Sequence, residues 1–202
     1  MARRKLRLTG DADGDALLSA NPFALLVGMM LDQQIRMEIA FLGPQRLAER
    51  LGIELTPATL AATPLEDVEA AFRVKPAIHR FPGAMATRVV RLAEAVVEHH
   101  GGDAARIWRG VKDASVLHAR LAALPGFGDE KASIFVALLA KQLGVRPDGW
   151  EAAAGEYALE GYRSIADVVD ADSLLLVRES KQAVKQAEKA EATRRSTRRG
   201  RG

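Results

Sequence analysis

The residues best suited to chemistry in this sequence form a short turn between two apolar stretches. The string Leu121-Ala-Ala-Leu-Pro-Gly-Phe-Gly-Asp-Glu-Lys-Ala132 predicts one helix that ends at Gly126-Phe127-Gly128 and a second that starts at once. Two glycines let the backbone come close to an anion, and the free N–H groups in the first turn of the second helix point at it. The pattern therefore predicts a phosphate-binding site. An ordinary helical hairpin, in which the glycines serve only the turn, is the alternative.

The Leu-Pro-Gly-Phe-Gly string resembles the helix-hairpin-helix element of DNA glycosylases, ligases and polymerases. By itself this resemblance implies only a grip on the DNA backbone, because phosphate contacts carry no base information. Two further segments are similar to the helix-hairpin-helix-GPD superfamily of base-excision glycosylases. Gly144-Val-Arg-Pro-Asp148-Gly-Trp150 places Asp148 twenty positions after Gly128, and Leu31-Asp-Gln-Gln34 is similar to that superfamily's Leu-Ser-x-Gln motif. The similarity covers about 21–150.

The resemblance implies a catalytic role for Asp148. Hydrolysis of an N-glycosidic bond builds positive charge on the sugar, and a nearby carboxylate stabilises that charge and can deprotonate water. The alternative is a turn aspartate that caps a helix starting near Trp150. The same resemblance places Gln34, with Gln33 as second choice, in the space that a flipped nucleotide leaves in the duplex. The alternative is two polar residues on the solvent face of a helix.

The sequence departs from the superfamily at three places. Members that also cut the strand carry a nucleophilic lysine two residues after the second hairpin glycine, where this chain has Glu130. Lys131 comes one residue later, which turns its side chain by about 100° around a helix. Asp148 lies between Pro147 and Gly149 instead of in a Val-Asp-x-His setting. With no cysteine in the chain, an iron–sulfur cluster ligated by cysteines is excluded.

Other residues complete the predicted interface. Lys75, His79 and Arg80, in a loop bounded by prolines, are expected to contact phosphates. The full set expected at DNA consists of Gly126, Phe127, Gly128, Lys131, Gln34, Gln33, Lys75, His79 and Arg80, with Glu130 and Trp150 as candidates for the base pocket. No metal site is expected, since the adjacent histidines at 99–100 read as exposed residues at a helix end. The resemblance implies that a monovalent cation can sit at the carbonyls of 124–127, with no other cofactor.

We therefore expect a monofunctional DNA glycosylase that acts as a monomer on double-stranded DNA with a damaged or mismatched base and leaves an abasic site. The alternative is a non-catalytic helix-hairpin-helix protein that binds DNA, which Glu130 and the altered setting of Asp148 favour. A helical interaction protein with an unused hairpin is the third hypothesis. The sequence does not identify the base.

Composition supports a helical protein with a large core. The chain has 202 residues, 48% of them hydrophobic and 27% charged, and its spacing of apolar residues is helical almost throughout, so the expected fold is all-α. The resemblance to the helix-hairpin-helix-GPD superfamily implies that this fold is two-lobed. From Arg178 onward there are nine basic and three acidic residues, which leaves 20 basic and 23 acidic residues in 1–177. We expect a domain over 1–177, with one lobe at about 22–140 and the second from 1–21 and 141–177, and a flexible basic tail over 178–202.

No secretory signal or membrane segment is expected, because the longest apolar run, Phe23–Leu31, is about half the length that spans a bilayer. The predicted location is the cytoplasm, at the nucleoid.

Two features are expected in the first lobe. A helix is expected from Phe23 to Met37 or beyond, and it is expected to break at Gly43-Pro44. Asn21, Thr56 and Thr63 are expected to cap helices that open with the prolines after them.

Overall fold

A computed structural model of the chain describes the backbone of residues 5–199 and the side chains of residues 5–186. The predicted all-α class is confirmed: this part of the chain contains ten α-helices and no strand. The α-helices are α1 (Ala12–Ala20), α2 (Pro22–Leu31), α3 (Met37–Leu51), α4 (Pro57–Ala62), α5 (Leu65–Arg73), α6 (Pro82–His100), α7 (Ala114–Ala122), α8 (Asp129–Gln142), α9 (Trp150–Ala154) and α10 (Ala171–Arg199). Short 3-10 helices cover Ala104–Ile107, Gly155–Ala158 and Ile165–Asp167.

Two helices are buried along most of their length, and the rest of the fold packs around them. Every residue of α2 from Phe23 to Leu31 is buried, as are most residues of α8. Helices α1 and α3 pack on α2, while α4 and α5 pack on α6; α7, α9 and the 3-10 helix at Ile165–Asp167 pack on α8. The packing thus forms one group from α1 to α6 and a second around α8. This grouping differs from the predicted division near 140, because α8 belongs with the helices that follow it.

The first helix of the core ends earlier than its apolar pattern predicts. The expected helix from Phe23 to Met37 is wrong: α2 stops at Leu31, a loop covers 32–36, and α3 begins at Met37. The expected break at Gly43-Pro44 is also wrong, since both residues lie inside α3 and are buried. A Cβ on Gly43 would lie 2.5 Å from Leu31 Cδ1, so the glycine allows α3 to approach the end of α2.

The predicted caps are confirmed in two of three places. The Asn21 side chain accepts hydrogen bonds from the N–H groups of Phe23 and Ala24, and Thr56 forms a capping box with Thr59. Thr63 does not cap the next helix, because its hydroxyl donates to the Thr59 carbonyl of the preceding one. Proline at position 64 then precedes α5 without any side-chain cap.

The C-terminal segment is helical well beyond the predicted end of the domain. Helix α10 continues without a break from Ala171 to Arg199, and Val177 is fully buried. Arg178 forms an ion pair with Glu38, and Lys181 forms one with Asp32. The predicted boundary at Val177 thus falls inside α10, and the two cations that follow it pair with carboxylates of the first helical group. The last residues of the predicted tail, 200–202, lie outside the described residues.

Within residues 5–199 no single helix has both the length and the apolar character to cross a membrane. Only α1 and α2 taken together meet those two criteria, and they meet at a bend of 116°.

Candidate nucleic-acid interface

The hairpin turn has the shape that the sequence predicts. Helix α7 ends at Ala122, the Phe127 N–H donates to the Leu124 carbonyl, and α8 begins at Asp129. Gly126 has a left-handed backbone, with φ of 81°. A Cβ at this position would lie 2.6 Å from Met30 Cγ, so glycine is required for packing against α2 as well as for the turn. Gly128 is different, because its missing Cβ would point into open space.

The start of α8 exposes backbone donors. The first helical hydrogen bond of this region runs from the Ala132 N–H to the Gly128 carbonyl. The four preceding N–H groups, at 128–131, make no hydrogen bond among the described residues. Free amides at the N-terminus of a fourteen-residue helix can bind a phosphate oxygen. The exposed carboxylates of Asp129 and Glu130 in the same turn oppose an anion there.

Lys131 points into the protein. Its ammonium group donates to the carbonyl of Met30, 2.5 Å away, and so joins α8 to the end of α2. Burial lowers the pKa of Lys131 to about 8, while the negative charge of Asp32 acts in the opposite direction. The predicted role of Lys131 at DNA thus competes with a partner inside the fold.

The loop after α2 separates the two glutamines. Gln33 is held in place, because its amide donates to the Met30 carbonyl at 2.9 Å and accepts from Arg88 at 3.1 Å. Gln34 is exposed and has a left-handed backbone with φ of 56°, an unusual conformation for a residue with a side chain. Of the two candidates, Gln34 is the one whose amide has no partner in the described part of the chain.

His79 supports this loop from inside. It is only 2% exposed; its Nε2–H donates to the Gln33 carbonyl at 2.9 Å, and its Nδ1 accepts from the Phe81 N–H at 3.1 Å. This pair of contacts requires the neutral imidazole. Burial lowers the pKa of His79, although the hydrogen bond to Gln33 opposes that shift.

The other predicted residues of this loop are accessible. Lys75 and Arg80 are exposed, and the Arg80 guanidinium lies 4.8 Å from the ring centre of Phe81. Phe81 itself is 42% exposed, so it does not fix the loop to the core. These three side chains are available to a ligand, whereas the buried His79 is not.

Asp148 lies in the loop between α8 and α9. Its backbone is fixed to the start of α7, with its N–H donating to the Lys112 carbonyl at 2.7 Å and its carbonyl accepting from the Ala114 N–H at 2.9 Å. Helix α9 starts two residues later with no side-chain cap, so Asp148 does not cap it. The carboxylate is exposed and has no hydrogen-bond or ion-pair partner among residues 5–186.

Asp148 lines an open pocket between α7 and α9. The pocket has a volume of about 490 Å³ and is lined by Asp113, Ser115, His118, Asp148, Gly149, Ala152 and Ala153. His118 connects this pocket to α8, because its Nε2 lies 3.1 Å from Ser133 Oγ and 3.2 Å from the Asp129 carbonyl. The structure therefore groups the hairpin, Lys131, Gln33 and His79 at the end of α2, and it joins the pocket of Asp148 to the first turn of α8 through His118.

The two pocket candidates have separate surroundings. Glu130 accepts a hydrogen bond from the Tyr157 hydroxyl at 3.2 Å, and burial together with this carboxylate raises the pKa of Tyr157 to about 12. Trp150 is half-buried, and the Arg146 guanidinium lies 5.8 Å from its ring centre. Neither of them lines the pocket of Asp148.

The sequence does not indicate two residues that contact the candidate site only in the folded protein. Arg88 lies between the Gln33 amide and the hairpin glycine Gly126, and His118 lines the pocket of Asp148. Neither stands in a motif, so only the packing reveals them. Among the described residues no group of three or more histidine and acidic side chains could hold a metal ion.

Helices α7 and α8, joined through a glycine hairpin with free amides, define a helix-hairpin-helix protein that can bind a DNA backbone. The family model described as "HhH-GPD superfamily base excision DNA repair protein" matches residues 27–199, so the chain belongs to that superfamily. No curated protein matches the chain. The matched range includes the hairpin, Gln34 and Asp148.

The two hairpin glycines are expected to respond differently to alanine. Gly128→Ala places a methyl group where a phosphate would approach, so duplex binding weakens equally for all sequences while the thermal midpoint stays close to that of the unchanged protein. In Gly126→Ala the new Cβ clashes with Met30, and alanine must adopt a left-handed backbone. This substitution is therefore expected to lower the free energy of unfolding by about 1–3 kcal/mol. Fluorescence anisotropy and thermal denaturation measure the two effects. Unchanged affinity in a folded Gly128→Ala protein would remove the hairpin from the DNA-binding surface.

The buried His79 is expected to make stability depend on pH. Its pKa is lowered in the folded protein, so between about pH 6.5 and that lowered value the unfolded chain binds more protons, and stability falls as the pH falls. Urea denaturation at pH 7.5 and 5.5 measures the difference. It is expected to shrink in His79→Gln and to persist in the control His99→Gln, which changes an exposed histidine. Equal pH dependence in all three proteins would contradict this assignment.

Proposed function

We propose that this chain is a monofunctional DNA glycosylase that removes a damaged or mismatched base from double-stranded DNA. Its superfamily works in base excision DNA repair. The observation that supports the finer assignment is the setting of Asp148: a free carboxylate, on a backbone fixed by two hydrogen bonds, at the mouth of an open pocket. A group that must meet a cation needs both the fixed position and the absence of a competing partner.

The proposed reaction needs one carboxylate and one water. The bond between the base nitrogen and the anomeric carbon breaks, and the base leaves with the electron pair. Asp148 stabilises the positive charge that grows on the sugar and accepts a proton from the attacking water, whose oxygen bonds to the anomeric carbon. The departing base takes up a proton from solvent. The products are the free base and an abasic site.

Binding is divided among the remaining elements. The free amides at 128–131 hold a phosphate, Lys75 and Arg80 contact the backbone nearby, and Gln34 enters the duplex where the nucleotide has left. The carbonyls of Pro125, Gly126 and Phe127 accept no backbone hydrogen bond among the described residues, which is compatible with a monovalent cation at the turn. We expect the protein to act as a monomer at the nucleoid.

A second candidate function is DNA binding without catalysis. Glu130 at the place of the nucleophilic lysine and the Pro147-Asp148-Gly149 setting favour it, because both depart from the superfamily's pattern. The acidic side chains at 129–130 also weaken an anion site. The two candidates differ in whether any oligonucleotide loses a base.

The Asp148→Asn protein tests the proposed reaction. Duplexes that each carry uracil, hypoxanthine, an alkylated purine, oxidised guanine or a mismatch are incubated with protein and then cleaved with alkali at abasic sites. We expect activity on at least one duplex and a loss of about 100-fold or more in Asp148→Asn, with affinity for that duplex retained. The matched control is Asp113→Asn, which changes the other carboxylate of the pocket and keeps a helix-capping side chain. Equal activity in both variants would refute the role of Asp148.

Strand cleavage is not expected before alkali is added. Cleavage through a Schiff base needs an amine at the anomeric carbon, and Glu130 at the corresponding position cannot form an imine. The Lys131 amine is held by the Met30 carbonyl. Borohydride added during turnover should therefore trap no protein–DNA adduct in gel electrophoresis. An adduct that disappears in a folded Lys131→Arg protein would show a lyase instead.

A further inference from the structure

We propose that the C-terminal helix positions the DNA-facing loop, with Arg178 and Lys181 of α10 as positioning residues for the loop at 32–36 that carries Gln34. The importance of this loop for DNA rests on the proposed function. The bracing itself is a property of the protein without DNA and is tested separately.

The two cations of α10 hold the two ends of the loop. Lys181 Nζ lies 3.5 Å from Asp32 Oδ2 at the end of α2, and an Arg178 guanidinium nitrogen lies 3.5 Å from Glu38 Oε1 in the first turn of α3. The cations are three positions apart, so they share one face of α10. One helix face thus contacts the residue that begins the loop and the helix that follows it.

Both carboxylates are largely removed from solvent. The side chains of Asp32 and Glu38 are 9% and 10% exposed. At this burial an ion pair is screened little. Loss of Lys181 removes the one ion pair that Asp32 makes among the described residues, whereas Glu38 keeps Arg36 when Arg178 is lost. Glu38 already has one oxygen, Oε2, with no partner among the described residues, although Arg36 reaches the other at 3.2 Å. The loop is therefore expected to be more sensitive to removal of Lys181 than to removal of Arg178.

Helix α10 is rigid enough at this point to act as a brace. Ser173, near the start of α10, is buried and makes hydrogen bonds with Asp170. Val177, the residue before Arg178, is fully buried. Within the loop, Gln34 keeps its left-handed backbone, which a side-chain-bearing residue holds only when its surroundings fix it. Fixing both ends of a short loop restricts the backbone between them.

Hydrogen exchange of the free, full-length protein tests the brace. The double variant Arg178→Gln/Lys181→Gln is compared with Lys185→Gln, which removes an exposed cation farther along the same helix. We expect amides of 33–36 to exchange about 10-fold faster in the double variant, while those of α6 keep their rates and Lys185→Gln leaves both unchanged. The conservative variant Arg178→Lys/Lys181→Arg should restore slow exchange. Should the double variant fail to unfold cooperatively, Lys181→Gln alone is used, with an expected increase of about 3-fold.

Unchanged exchange at 33–36, or an equal increase in Lys185→Gln, overturns the proposal. A second measurement separates it from the proposed function: binding to a duplex with a stable abasic-site analogue is compared with binding to the intact duplex at one salt concentration. We expect the double variant to lose about 10-fold in this preference and Lys185→Gln to keep it. Faster exchange with the preference intact supports the brace and counts against the proposed role of Gln34.

Discussion

The carbonyl oxygen of Met30 is the point on which the interface depends. Helix α2 is buried on all sides, so the carbonyls at its end need donors from the protein. Met30 receives the Lys131 ammonium and the Gln33 amide, and the next residues are supported by His79. One helix end thus fixes the distance between the hairpin and the loop after α2. Two elements far apart in the sequence are thereby presented on one surface.

The same arrangement gives several polar residues a structural role that differs from the one their sequence context indicates. A lysine and a histidine near a glycine hairpin look like phosphate contacts in the sequence, yet Lys131 and His79 both turn inward and bind backbone carbonyls. The side chains left accessible are Arg80, Lys75 and Gln34. The proposed interface would rely on backbone amides and a few cations, because the remaining polar groups hold the loops in shape.

Much of the fold follows from sequence because its signals are local. The all-α class, the caps at Asn21 and Thr56 and the glycine turn each depend on residues within a few positions of one another. The errors have tertiary causes. The end of α2 at Leu31 is set by packing against α3, and the inclusion of Gly43 in α3 depends on the nearby Leu31 side chain. The sequence does not indicate the ion pairs of α10, because Arg178 and Lys181 meet their partners only in the folded chain. For the site, the sequence indicates Gln34 and Asp148, but it contains no signal for Arg88 or His118.

The contact between Lys181 and Asp32 spans 149 positions. Such a contact forms late, since a long stretch of chain must be ordered before its ends can meet. During synthesis from the N-terminus, the helices that carry the hairpin and the loop are complete long before residue 181 exists. The surface proposed to face DNA would therefore reach its final geometry only after residue 181 has been made. A chain that ends before residue 178 would lack both ion pairs to α10, those of Asp32 with Lys181 and of Glu38 with Arg178.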